Sequence, residues 1–180
     1  DKAGFRKMAE MILNLLVGDQ SPEYQDWDGD GELIAPLNGY GLLLNGSNLG
    51  YIQAVFSEAD YAANSPGATQ TMIVQGEQVK TCIQNLAQWT PQLHEAITVI
   101  LESLATSDLT QSIQDSVTLA DLLLNGTDLD GNGAVDPLLG ECGAQIAYES
   151  AYFMADMHLL PVNLNTIPET GGGPNSPSAT

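Results

Sequence analysis

The chain has 180 residues, 43% of them hydrophobic, which is enough for one domain with a real core. Four basic residues stand against 23 acidic ones, a formal net charge of −19. Lys2, Arg6, Lys7 and Lys80 cannot make the cation cluster that a phosphate surface needs, which excludes nucleic acid and anionic membrane as partners.

The first segment, Lys2 to Gly18, places Phe5, Met8, Ile12, Leu15 and Leu16 at helical spacing. Its basic residues precede apolar ones, as in a signal peptide. Glu10 and Asn14 interrupt the apolar part, so it reads as an amphipathic helix of the mature protein. Next comes Asp26-Trp27-Asp28-Gly29-Asp30-Gly31, with oxygen side chains at alternate positions and glycines that permit a sharp bend. Leu42-Leu43-Leu44-Asn45-Gly46-Ser47 follows and carries the glycosylation acceptor pattern at Asn45. The plainer reading is a turn that ends with Asn-Gly and a Ser cap.

A second helix is expected from Ile52, Val55, Phe56, Ala59 and Ala63, with Ser65-Pro66 read as the start of the next. Met72, Val79, Ile83 and Leu86 make a third stripe. Thr90-Pro91 reads as a fresh N-cap before a fourth stripe of Leu93, Ile97, Ile100, Leu101 and Leu104. Ser107-Asp108 is a plausible cap for a fifth stripe of Leu109, Ile113, Val117, Ala120 and Leu124. That stripe leads into Leu122-Leu123-Leu124-Asn125-Gly126-Thr127, where Asn125 repeats the acceptor pattern. A second oxygen-rich run, Asp128-Leu129-Asp130-Gly131-Asn132-Gly133, follows at once. Ile146, Ser150, Phe153, Met154 and Met157 give the last stripe. The end from Pro168, rich in Gly, Pro and Ser, reads as a flexible tail.

Strand alternation is absent, so the expected fold is all-α, a bundle of five or six helices with two long loops. The expected domain is residues 1–167, with 168–180 as the tail. A helix, an oxygen-rich loop, three spaced Pro/Gly positions (Pro36, Gly39 and Gly41; Pro137, Gly140 and Gly143) and a further helix occur twice. The two units can form pseudo-symmetric halves. Cys82 and Cys142 are the only cysteines. They form either one disulfide, worth about 4 kcal/mol in the loop-entropy model, or two buried thiols.

The two oxygen-rich runs resemble EF-hand and dockerin-type calcium loops over about a dozen residues each. The resemblance implies Asp26, Asp28 and Asp30 as side-chain ligands of one ion, with the backbone carbonyl of Glu32. It implies Asp128, Asp130 and Asn132 for another, with the carbonyl of Ala134 and with Asp136 at the ninth position. The closing carboxylate of that pattern is missing, because Leu37 and Leu139 stand at the twelfth positions. Glu141 can supply it in the second loop. In the first, no acid follows until Glu58. An oxygen-only ligand set favours calcium over zinc or copper, and two ions are expected.

Only 15% of the residues are charged, so the surface is dressed largely with Asn, Gln, Ser, Thr and Gly, as suits a secreted, periplasmic or cell-surface protein. No apolar run approaches the roughly 18 residues of a membrane span. Signatures of phosphate loops, zinc proteases and nucleophile elbows are missing, so no enzymatic activity is expected. The expected role is a calcium-binding structural or assembly protein, self-associating or bound to other surface proteins. One alternative is a metal or haem carrier that uses His158 with Met154 and Met157. The other is a carboxylate-based hydrolase.

Overall fold

A computed structural model describes residues 2–34, 38–103 and 109–155. The expectations placed on Pro36, Leu37, Leu104, Ser107-Asp108, Met157, His158 and the tail lie outside these residues. The fold is all-α. Five helices run in the order α1 (Lys2–Val17), α2 (Tyr51–Ala63), α3 (Gln70–Ser103), α4 (Thr110–Asn125) and α5 (Ala144–Ala155). Among the described residues the only β pairing is an isolated bridge between Asn45 and Asn48.

The long helix α3 is the axis, and each of the other four packs on it. Val79, Cys82, Ile83, Leu86 and Trp89 on its first half, and Leu93, Ile97 and Leu101 on its second, join one core with Leu13, Leu16, Ile52, Ala59, Leu123 and Ala147. This continuity corrects the expected break at Thr90-Pro91, since Pro91 lies inside α3. A proline inside a helix removes a hydrogen bond and costs about 3 kcal/mol. Two buried apolar faces in phase on either side of Pro91 outweigh that cost. Ser65-Pro66 is also corrected. It lies in the turn after α2, and α3 opens at Thr69, whose hydroxyl accepts from the Met72 amide at 3.2 Å.

Four stripes depart from expectation. On α1, Met8 and Leu15 are exposed, while Ala9, Leu13, Leu16 and Val17 are buried together with the polar Glu10 and Asn14. On α4, Ile113, Val117 and Leu124 are exposed and Leu123 is buried. Phe153 of α5 is exposed, and so is Val55 of α2. On α1 the reason is visible, because its inward face is claimed by two polar side chains that hold a loop.

The repeat is visible in the backbone. The end of α1 crosses its loop at Gly18 and Gly41, where a Cβ on Gly41 would lie 2.5 Å from the Gly18 nitrogen. The end of α4 crosses its own at Gly126 and Gly143, where a Cβ on Gly143 would lie 2.7 Å from the Gly126 nitrogen. The same hydrogen bond ties each crossing: Asp19 N–H to Gly39 O at 3.0 Å, and Thr127 N–H to Glu141 O at 2.8 Å. After the second crossing α5 starts at once. After the first, residues 42–50 intervene before α2, held by the bonds from Leu43 N–H to Leu16 O and from Tyr51 N–H to Gly41 O.

Cys82 and Cys142 are joined by a disulfide that closes a sequence separation of 60 residues, so the free-thiol alternative is excluded. It ties the middle of α3 to the end of the second loop and is consistent with an oxidising compartment. Lys80 on α3, largely shielded, bridges Asp60 of α2 and Glu77 of its own helix, each at 2.8 Å. The hydrogen bond to Asp60 first, then that to Glu77, raise its pKa above 10.5.

Candidate metal centres

Each oxygen-rich run folds on itself through its first aspartate. Asp26 accepts from the amides of Gly29 at 2.6 Å and Gly31 at 2.9 Å. Asp128 accepts from Gly131 at 2.7 Å, Asn132 at 3.1 Å and Gly133 at 2.8 Å. The next oxygens continue the staircase, Asp28 to the Asp30 amide at 2.9 Å and Asp130 to the Asn132 amide at 3.0 Å. Gly29, Gly31, Gly131 and Gly133 all adopt positive φ, which glycine does at little cost. The amide of Gly31 does most to hold the Asp26 carboxyl below its ordinary 3.8. Burial opposes the effect, and the amides of Gly29 and Asp30 reinforce it.

Two carboxylate groups result that could hold an ion. In the first, oxygens of Glu10, Asp26 and Asp28 lie within 4.8 Å of one another. In the second, those of Asp128, Asp130 and Glu141 do. The glutamates are 0% and 1% exposed, whereas the aspartates stand on the loops. Glu141 sits where the sequence suggested, at the end of the second loop, with the Leu129 amide 3.4 Å from its Oε1.

Glu10 was not foreseen as a site residue. It comes from α1, sixteen residues before the loop in sequence, and fills the place that no acid after the loop can take. Its Oε2 accepts from Trp27 at 3.1 Å and Asp28 at 3.2 Å, and its Oε1 from Ile34 at 3.1 Å. A carboxylate offers about four lone-pair directions, so one remains toward an ion. The signal was present: an acid and an amide, Glu10 and Asn14, interrupting an apolar helix one turn apart.

The remaining candidates are placed differently. Asp30 and Glu32 turn to Lys7, at 3.7 and 2.9 Å, and the Glu32 hydrogen bond does most to raise the Lys7 pKa. Asn132 donates to Asp130 at 3.3 Å and to Asp136 at 2.7 Å, while its own oxygen accepts from the Ala134 amide. Asn45 carries the first of the two acceptor patterns. Its amide is buried, accepting from Gln20 N–H at 2.6 Å and donating to Gly39 O at 2.8 Å. Asn125 is exposed at the end of α4 and donates to Asp121 at 2.7 Å. Met154 packs, partly buried, against the core. His94 lies 3.2 Å from Glu23 and belongs to neither carboxylate group.

Buried asparagines hold both loops. On α1, Asn14 donates to the carbonyls of Gln25 at 3.1 Å and Ile34 at 3.3 Å and accepts from Gln25 N–H at 3.3 Å. On α3, Asn85 donates to the carbonyls of Leu138 and Cys142, both at 2.9 Å, and accepts from Gly140 N–H at 2.7 Å. A primary amide supplies donor and acceptor together, which suits loop backbone with no ladder of its own.

Comparison with protein-family models, with curated proteins and with solved structures finds no match to this chain. The functional reading therefore rests on the residues and geometry of this chain.

Proposed function

We propose that the chain is an exported or surface-exposed structural domain that binds one calcium ion in each loop and serves assembly rather than catalysis. One observation carries this reading. Each loop converges on a fully buried glutamate together with two aspartates, in two places, by two different routes. Three carboxylates within 4.8 Å repel one another, and burial of one makes that repulsion harder to screen. A divalent cation reverses the sign of the interaction. All donors are oxygen, and loop carbonyls and water can complete the six to eight ligands that calcium takes, which favours calcium over magnesium and over softer metals.

Elemental analysis of protein purified without chelator is expected to give two calcium ions per chain. Excess EDTA is expected to lower the melting temperature by about 5–10 °C per site at a hundredfold excess of calcium over Kd. Far-ultraviolet circular dichroism should still report most of the helix, because the core along α3 needs no ion. Zinc, or no metal, or a melting temperature indifferent to EDTA, would overturn the calcium reading.

The assembly part rests on exposed aromatics. Tyr148, Tyr152 and Phe153 stand out from α5 and Tyr61 from α2. Such side chains are enriched at protein interfaces. The net charge of −19 opposes contact between copies, and bound calcium weakens that repulsion. Light scattering across a calcium titration is expected to show larger particles at millimolar calcium and their loss with chelator. A monomer at every calcium level and at high protein concentration would remove the assembly role and leave an isolated calcium-stabilised domain.

A further inference from the structure

The two centres hold their buried glutamates by different means. Glu10 is part of a helix, so its backbone is fixed by α1 itself. Glu141 lies in a non-helical segment just before α5, and its neighbour Cys142 carries the disulfide to Cys82. One turn along α3 from Cys82, Asn85 binds the backbone of Leu138, Gly140 and Cys142 through three hydrogen bonds. Segment 138–142 is thus fastened to α3 at both of its ends and at its middle. Cys82, Asn85, Glu141 and Cys142 are all buried, so no solvent layer loosens the clamp. Among the described residues the first centre has no covalent anchor of this kind.

We infer that the Cys82–Cys142 disulfide and Asn85 are the positioning elements of the second metal centre, so that its calcium affinity depends on the redox state of the cysteines while that of the first centre does not. This rests on the calcium reading above. Reduction by a dithiol delivers two electrons and two protons to the sulfurs, breaks the S–S bond to give two thiols, and leaves the dithiol as its own disulfide. Segment 138–142 is then held only by hydrogen bonds, those of Asn85 and of the Thr127 amide, and Glu141 must be immobilised further when the ion binds. That ordering cost appears as weaker binding. Linkage makes the effect reciprocal, because calcium must stabilise the disulfide by the factor by which the disulfide strengthens calcium binding. A chain still reduced before export would carry one strong centre, and oxidation would complete the second.

The test is calcium titration of the full chain by calorimetry, in the oxidised protein, after dithiothreitol, and in a Cys82→Ser/Cys142→Ser variant. Amide resonances of Gly131 and Gly133 report the second centre, and those of Gly29 and Gly31 the first. One Kd is expected to rise tenfold or more on loss of the disulfide, with the second pair of resonances following it and the first pair unchanged. For a tenfold change, saturating calcium should lower the disulfide reduction potential by about 30 mV. Asn85→Ala, with the disulfide intact, should weaken the same centre, and it carries the test if the serine variant loses helix. Two calcium ions bound with equal affinity in both redox states would overturn this inference alone, as would both centres weakening together. No calcium binding in the oxidised protein would overturn the calcium reading and this inference with it.

Discussion

Gly126→Ala is expected to destabilise the protein by about 3–5 kcal/mol, against about 1–2 kcal/mol for Gly131→Ala. The two glycines have nearly the same φ, 76° and 75°, and Gly126 combines it with ψ of −161°, a region that essentially only glycine adopts. An L-residue at a positive φ is strained at either position, by about 1–3 kcal/mol. They differ in what surrounds them. A Cβ on Gly131 would meet nothing within 4 Å. A Cβ on Gly126 would lie 2.1 Å from the carbonyl oxygen of Glu141 and 2.8 Å from the nitrogen of Gly143. Both are backbone atoms, so no side-chain rotation relieves the clash, and the crossing of α4 over its own loop has to open. That movement displaces Glu141, so Gly126→Ala should also weaken calcium at the second centre. Urea denaturation of the two variants measures the difference. Equal losses would mean that the crossing is looser than its geometry.

Glu10→Ala should have the second-largest effect. It removes one carboxylate that three backbone amides use, those of Trp27, Asp28 and Ile34. Each donor left without a partner costs about 1–3 kcal/mol when buried. The three residues are half-buried, so water reaches part of the gap, and a total of about 3–4 kcal/mol is expected. Glu10→Gln keeps one acceptor oxygen and should recover about half of that loss. Calorimetry should find one calcium site lost in Glu10→Ala, with the other unchanged, because Glu141 lies in the second loop and its clamp on α3, both remote in the chain from Glu10. Two sites of native affinity in this variant would show that Glu10 is a loop anchor without being a ligand.

These effects divide along the same line as the origin of the structure. The helical class and the staircases of the two loops are local. Asp26 reaches Gly29 and Gly31, and Asp128 reaches Gly131 and Gly133, across no more than five residues. Spacing within so short a stretch leaves little freedom, so alternating oxygens and a glycine are enough to specify the turn. The repeated glycines also show in the sequence, although the crossings they permit do not.

What closes each centre was decided at long range. Glu10 lies 24 residues from Ile34, and Asn85 lies 53 to 57 from the segment it clamps. Such contacts depend on how α1 and α3 are turned, which the apolar period alone left ambiguous. Met8 and Leu15 share a helical face with Ile12, yet of the three only Ile12 packs against the core and the other two are exposed. Burying Glu10 and Asn14 satisfies loop amides and carbonyls that would otherwise stand unpaired. Pro91 breaks a helix by local rules but not here, because the core on both sides of it holds α3 straight through. An all-α chain with two oxygen-lined turns is legible in the residues themselves, since those features follow from neighbours a few positions apart. The tertiary structure decided which buried glutamate meets each turn and what holds it there, since backbone groups that lack a local partner can be satisfied only by whatever packing brings to them.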